Sequence, residues 1–202
     1  PRYRVEEINM NSDSSVDMIE EIGSSKVVKG ENYIEGTLVK NKETNLTAVK
    51  FTNNVNKHQG NIKVIKKFFS SEKMTAEELK ELASQLNVKF DVEVTIEGTF
   101  VYGGETIQNS SKVIKQTLSA ANGWEFTIDN VVWYGQETPT YTVKEVSLPD
   151  KWVCRSIDYS YTENESTDTP GHNLLDGGTV EVTIVNEIPS DTEIDLTFEM
   201  SG

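Results

Sequence analysis

A lysine, a glutamate and an asparagine sit in rows of side chains that are otherwise apolar. Strand side chains alternate between faces, so "GNIKVIKKFF" sets Ile62, Val64, Lys66 and Phe68 on one side. "YTVKEVSLPDKW" aligns Tyr141, Val143 and Glu145, and "GTVEVTIVNEI" aligns Val180, Val182, Ile184, Asn186 and Ile188. Each row has a single polar member. An unpaired buried charge costs several kcal/mol even after relaxation, so the three residues are expected to meet.

Meeting in an apolar core, they could do amide chemistry. Burial lowers the pKa of a lysine, which would leave the Lys66 amine neutral and nucleophilic. The same burial raises the pKa of a glutamate, so Glu145 is expected to be protonated and to donate to the Asn186 carbonyl. Attack of the amine on the side-chain amide, with Glu145 shuttling protons, gives a Lys66–Asn186 isopeptide bond and releases ammonia. Proximity makes this slow exchange feasible. It is one self-modification per chain, so the protein is not an enzyme in the sense of turnover. From the residues alone a second reading stands beside it: a buried Lys–Glu ion pair whose hydrogen bonds the asparagine completes.

These residues must be positioned by strands. "VKFDVEVTIEGTF" places Phe90, Val92, Val94 and Ile96 on one face, and "GWEFTIDNV" does so with Trp124, Phe126 and Ile128. Gly, Asn and Ser clusters break these runs at short intervals, which predicts an all-β, antiparallel sandwich. One helix is expected in "TAEELKELASQL", where Thr75 and Glu78 form a capping-box pair and Leu79, Leu82 and Leu86 recur at helical spacing. It falls between the first two strands of the domain.

The chain has 202 residues and a net charge of −14, which argues against nucleic-acid binding. No apolar run is long enough to span a membrane as a helix. The lone cysteine, Cys154, excludes an internal disulfide and is expected to be buried and structural. Nothing in the pattern calls for a cofactor or a metal. The start, "PRYRVEE", reads as part of something longer.

An internal echo organises the chain. "YRVEE" at 3–7 resembles "YTVKE" at 141–145, and "AVKFTNNV" at 48–55 resembles "EVTIVNEI" at 181–188. Residues 1–59 are therefore expected to be the C-terminal half of one domain and 60–188 a whole one. Residues 189–202, "PSDTEIDLTFEMSG", read as a linker and the first strand of another module.

Tyr141, Glu145, Pro149 and Trp152 resemble the E-box of Gram-positive pilins, with Lys151 where a small residue usually precedes the aromatic. The family's modules are collagen-adhesin B-type (transthyretin-like, Ig-like) domains of cell-wall-anchored adhesins and sortase-assembled pili. They begin with a lysine in alternating hydrophobics, as in "IKVIK", and end with an asparagine, as in "VTIVN". The resemblance implies tandem Ig-like sandwiches, a Lys66–Asn186 crosslink and Glu145 as its catalytic acid. In the partial domain it gives Glu7 and Asn53 the corresponding places. No lysine precedes Glu7, so its partner is expected upstream or on another chain; Lys40 and Lys50 are poor substitutes. The function implied is structural: an extracellular stalk segment at the cell surface, anchored through other regions, with neighbouring modules or pilin subunits as partners.

A ligand-binding adhesin module contacting host protein or glycan is the alternative. For it Trp133, beside "YGQETPT", is the candidate aromatic, while Trp124 and Trp152 are expected in the core. A noncovalent accessory sandwich of a secreted glycosidase is a further one. His58 and His172 are expected in polar loops without a hydrolase constellation. The acidic loop "TENESTDTPGHN" lacks EF-hand spacing.

Overall fold

The computed structural model describes residues 2–8, 14–22, 24–29, 32–38, 48–160 and 171–189. The acidic stretch 161–170, Lys40 and residues 190–202 lie outside them. Packing divides the chain into two compact units. One holds residues 1–58 with 134–137, the other residues 59–133 and those from 138 onward.

The first unit carries β1 (Arg2–Glu6), β2 (Ser14–Ile22), β3 (Ser24–Lys29), β4 (Tyr33–Leu38) and β5 (Ala48–Val55). Among the described residues β4 pairs antiparallel with both β1 and β3, and β2 pairs with β5. Ile34 of β4 is fully buried.

The second unit is built from β6 (Lys57–Phe69), α1 (Ala76–Gln85), β7 (Phe90–Tyr102), β8 (Glu105–Leu118), β9 (Glu125–Tyr134), β10 (Thr140–Ser147), β11 (Val153–Tyr159), β12 (His172–Asn173) and β13 (Thr179–Glu187). Its strands join in one sheet ordered β11-β13-β6-β9-β7-β10-β12, with β8 beside β7. The sheet curls over itself: β6 and β10 are separated by two strands in that order, yet their side chains touch. The alternation is regular where it matters. Ile62, Val64, Val180, Val182 and Ile184 are fully buried, with half-buried or exposed residues between them.

One pairing departs from the antiparallel expectation. β13 runs parallel to β6, from Thr179 opposite Asn61 to Glu187 opposite Phe69. First and last strands are joined by no hairpin, so no turn dictates their direction. Helix α1 forms as expected: the Thr75 hydroxyl accepts from the Glu78 N–H at 3.2 Å, and the Glu78 carboxylate accepts from the Thr75 N–H at 2.7 Å. Leu79, Leu82 and Ala83 are its buried face.

Candidate functional site

Lys66, Glu145 and Asn186 meet inside the second unit. The Lys66 and Glu145 side chains are 0% and 2% exposed, and Asn186 is fully buried. The Lys66 amine donates to Asn186 Oδ1 at 2.8 Å and to Glu145 Oε1. Asn186 Nδ2 donates to Glu145 Oε2 at 3.0 Å and Oε1 at 3.2 Å. The three groups close a hydrogen-bonded triangle.

Three local features aim them. The parallel ladder sets Lys66 opposite Ile184, two residues before Asn186 on the same buried face. β10 slips register against β7 just after Glu145, and β11 slips against β13 just after Cys154, the cross-strand partner of Asn186. Such bulges redirect side chains locally. Two residues before Glu145, the Val143 N–H donates to the Tyr159 hydroxyl at 3.0 Å and ties down β10.

The walls are aromatic. The Lys66 amine lies 3.9 Å from the centre of the Phe90 ring. Phe90 packs edge-on against Trp124 and Trp152, and Phe68 does the same with both tryptophans. Burial among these rings drops the lysine pKa from 10.5 to about 8, against the hydrogen bond and charge of Glu145, which push it upward. A sizeable share of amine is then neutral near physiological pH. Burial, followed by the charge of Glu145, raises the Cys154 thiol.

The site differs from expectation in one respect. Glu145 bonds the amide nitrogen of Asn186 and not the carbonyl oxygen. A carboxylate accepts N–H, while the lysine needs an oxygen, and the carboxamide turns to satisfy both. The carboxyl group therefore faces the amide nitrogen of Asn186.

The turn from Pro149 to Trp152 holds Lys151 in a left-handed conformation. The Trp152 N–H closes onto the Pro149 carbonyl at 3.1 Å, with Lys151 between them at φ +67. That conformation favours glycine, so a small residue fits there better. Trp133, the candidate for a ligand platform, is 2% exposed and belongs to the core. Its neighbour Tyr134 is the exposed ring. His58 and His172 lie in β6 and β12, not in loops, and His172 stacks on Tyr159 at 3.7 Å. Cys154 is half-buried rather than fully buried. Sequence reasoning did not find the roles of Phe90, Cys154 and Tyr159, since strand alternation says nothing of cross-strand neighbours.

In the first unit, Asn53 Nδ2 donates to Glu7 Oε1. Glu7 Oε2 is buried and has no hydrogen-bond partner among the described residues. Asn53 itself is exposed, and so is Lys50. This is a pair where the second unit has a triangle.

No family model matches the chain, and no curated protein matches it. Solved structures do. The major pilin protein T3.2 from Streptococcus pyogenes is 14% identical with a TM-score of 0.36, over 92% of this chain and 66% of the pilin. The T-13 major pilin of the same species is 14% identical with a TM-score of 0.37 over the same shares. Another major pilin from Streptococcus pyogenes is 14% identical with a TM-score of 0.33, over 92% of this chain and 69% of that one. The chain thus spans about two thirds of the length of the pilins it matches.

Proposed function

We propose that this chain is a stalk segment of a Gram-positive surface adhesin or pilus whose second unit crosslinks itself through a Lys66–Asn186 isopeptide bond promoted by Glu145. The observation that carries this reading is the buried lysine amine, 2.8 Å from the Asn186 carboxamide, with one carboxylate bonded to both.

The chemistry balances without a cofactor. Glu145 takes a proton from the Lys66 ammonium, and the neutral amine attacks Asn186 Cγ. The carboxyl then returns its proton to Nδ2, the Cγ–Nδ2 bond breaks and ammonia leaves. A surplus proton from the attacking nitrogen passes back through the carboxylate. Alignment of the three groups in a dry, preorganised site supplies the rate. A buried ion pair would also explain the triangle, but the bulges, the aromatic walls and the lowered lysine pKa favour the reacting arrangement. The bond would close a loop between residues 120 apart in sequence, which stiffens the unit and hinders proteases that act through unfolding. The product sits at the cell surface with other modules or subunits of the same array.

Intact mass of the denatured chain is the test. A deficit of one ammonia, with the Lys66 and Asn186 peptides joined on mapping, is expected. A mass equal to the plain sequence would leave only the ion pair.

A further inference from the structure

The curled sheet ends in β11 on one side and in β12 beside β10 on the other, with four strands between β11 and β10. Among the described residues no ladder joins those ends. Tyr159, the last residue of β11, spans them with its side chain. Its hydroxyl accepts from the Val143 N–H at 3.0 Å and donates to the Val143 carbonyl at 3.4 Å. A hydroxyl can do both at once. One side chain thus serves a residue of β10 that lies beyond Thr140 and Tyr141, the two that are registered with β12. The ring is held in turn. His172 stacks on it at 3.7 Å and an angle of 22°, and Tyr141 leans against it at 5.9 Å. The end of β11 is also pinned to β13: the Ser160 N–H donates to the Glu181 carbonyl, and the Glu181 N–H to the Ser160 hydroxyl, both at 2.9 Å. Tyr141 offers an internal control. It is fully buried, yet its hydroxyl has no hydrogen-bond partner among the described residues.

We infer that Tyr159 is a positioning residue for the crosslink: its hydroxyl, steadied by His172, latches β10 to the strand pair that carries Asn186 and so sets the Glu145 carboxylate against both reactants. This rests on the reading of the Lys66–Asn186 bond. The path is short. Tyr159 lies opposite Val182 of β13, four residues before Asn186, and Val143 lies two residues before Glu145 on the same face. Past Glu145 the register of β10 on β7 slips, so the clamp at Val143 is the last regular hold before the site. Placement matters to such a reaction, because a misplacement of about 1 Å can cost roughly 100-fold in rate. Through the same latch the bond waits for the fold. Glu145 reaches its place only once β11 has met β10, so the amide forms after the sheet has curled and not in a half-folded chain.

The test refolds the intact 202-residue chain from an unreacted, denatured state. Tryptophan fluorescence follows folding, and mass at intervals reads the ammonia deficit. Tyr159→Phe keeps the ring and removes the hydroxyl. It should fold at about the parent's rate but form the bond roughly 10- to 100-fold more slowly. Tyr141→Phe, which removes the hydroxyl without a partner, should match the parent in both. The pH dependence separates positioning from loosening. Glu145 pushes the Lys66 pKa upward and burial pushes it down. A carboxylate that drifts away therefore lowers it further, whereas water let into a loosened site raises it. In Tyr159→Phe the fall in rate at high pH should begin at a lower pH than in the parent. Bond formation at the parent's rate in Tyr159→Phe overturns the inference, and so does a slower rate whose fall begins at a higher pH. If Tyr159→Phe does not fold, His172→Ala is read in the same way. It keeps the hydroxyl and frees the ring, should slow the bond by a smaller factor, and overturns the inference if it does not. A parent chain that never loses ammonia overturns the crosslink reading, and the latch with it.

Discussion

The two units set the same pair of residues in different company. In the second, glutamate and asparagine meet a lysine inside a curled sheet, among four aromatic rings. In the first, Glu7 and Asn53 meet on a strand that among the described residues pairs on one side only, and one carboxylate oxygen finds no donor among them. The difference teaches that the glutamate and asparagine do not define the site. The strand that carries the lysine does, because it brings the amine and places it among the walls that lower its pKa.

Removing Glu145 should break the contrast most severely. Glu145→Ala is expected to abolish the ammonia deficit. Loss of a bridge between residues 120 apart removes about 5 kcal/mol of loop-closure stabilisation, and the stranded lysine adds roughly 3–5 kcal/mol of destabilisation. Denaturant unfolding of the second unit, beside intact mass, reads both.

The lysine's pKa sharpens the contrast by rate. With Lys66 at about 8, the proton that Glu145 takes from the ammonium and returns to Nδ2 is lost from the pair above that value, so bond formation in chain refolded from an unreacted, denatured state should fall about tenfold per pH unit there. The sign for stability follows. In Asn186→Ala, which cannot bond, burial holds the folded lysine below the unfolded one's usual value of 10.5. The unfolded state binds more protons between the two, so this group makes stability rise with pH across that window. Unfolding midpoints at several pH values check it.

Smaller effects concern the Pro149–Trp152 turn and the Glu7–Asn53 pair. Lys151→Gly relieves a left-handed lysine and should stabilise the second unit by about 1 kcal/mol, seen as a raised melting temperature. Glu7→Ala and Asn53→Ala should each stay within about 1 kcal/mol of the parent. Neither should change the mass deficit. A larger loss in either would mean the first unit already holds a completed site.

Much of this was legible because strands write their faces into sequence at period two. Lys66 and Asn186 announced themselves as polar exceptions in buried rows, and the Thr75–Glu78 pair marked the helix start. What alternation cannot carry is adjacency. Nothing in "VKFDVEVTIEGTF" says that Phe90 lies beneath a lysine 24 positions earlier in the chain. The parallel pairing of β6 and β13 was equally hidden, since no turn connects them. Trp133 was misplaced for a local reason. The row of Trp124 and Ile128 changes parity at Asn130, which has φ +60, and Val131 and Trp133 become the inward residues. The orientation of the Asn186 amide depends on which donor and acceptor flank it, a fact only three dimensions supply.

The parallel ladder between β6 and β13 has a mechanical consequence. β6 opens this unit and β13 is its last described strand, and the two run the same way side by side. Tension applied through the two ends therefore slides the strands lengthwise past each other. Nine registered residue pairs, from Thr179–Asn61 to Glu187–Phe69, must then yield together and not one by one as in an unzipped hairpin. Lys66 and Asn186 lie near the exit end of that ladder, so an amide between them would turn a shear clamp into a continuous covalent line. The helix, the β7–β8 hairpin and the Pro149–Trp152 turn would hang beside that line and carry none of the pull.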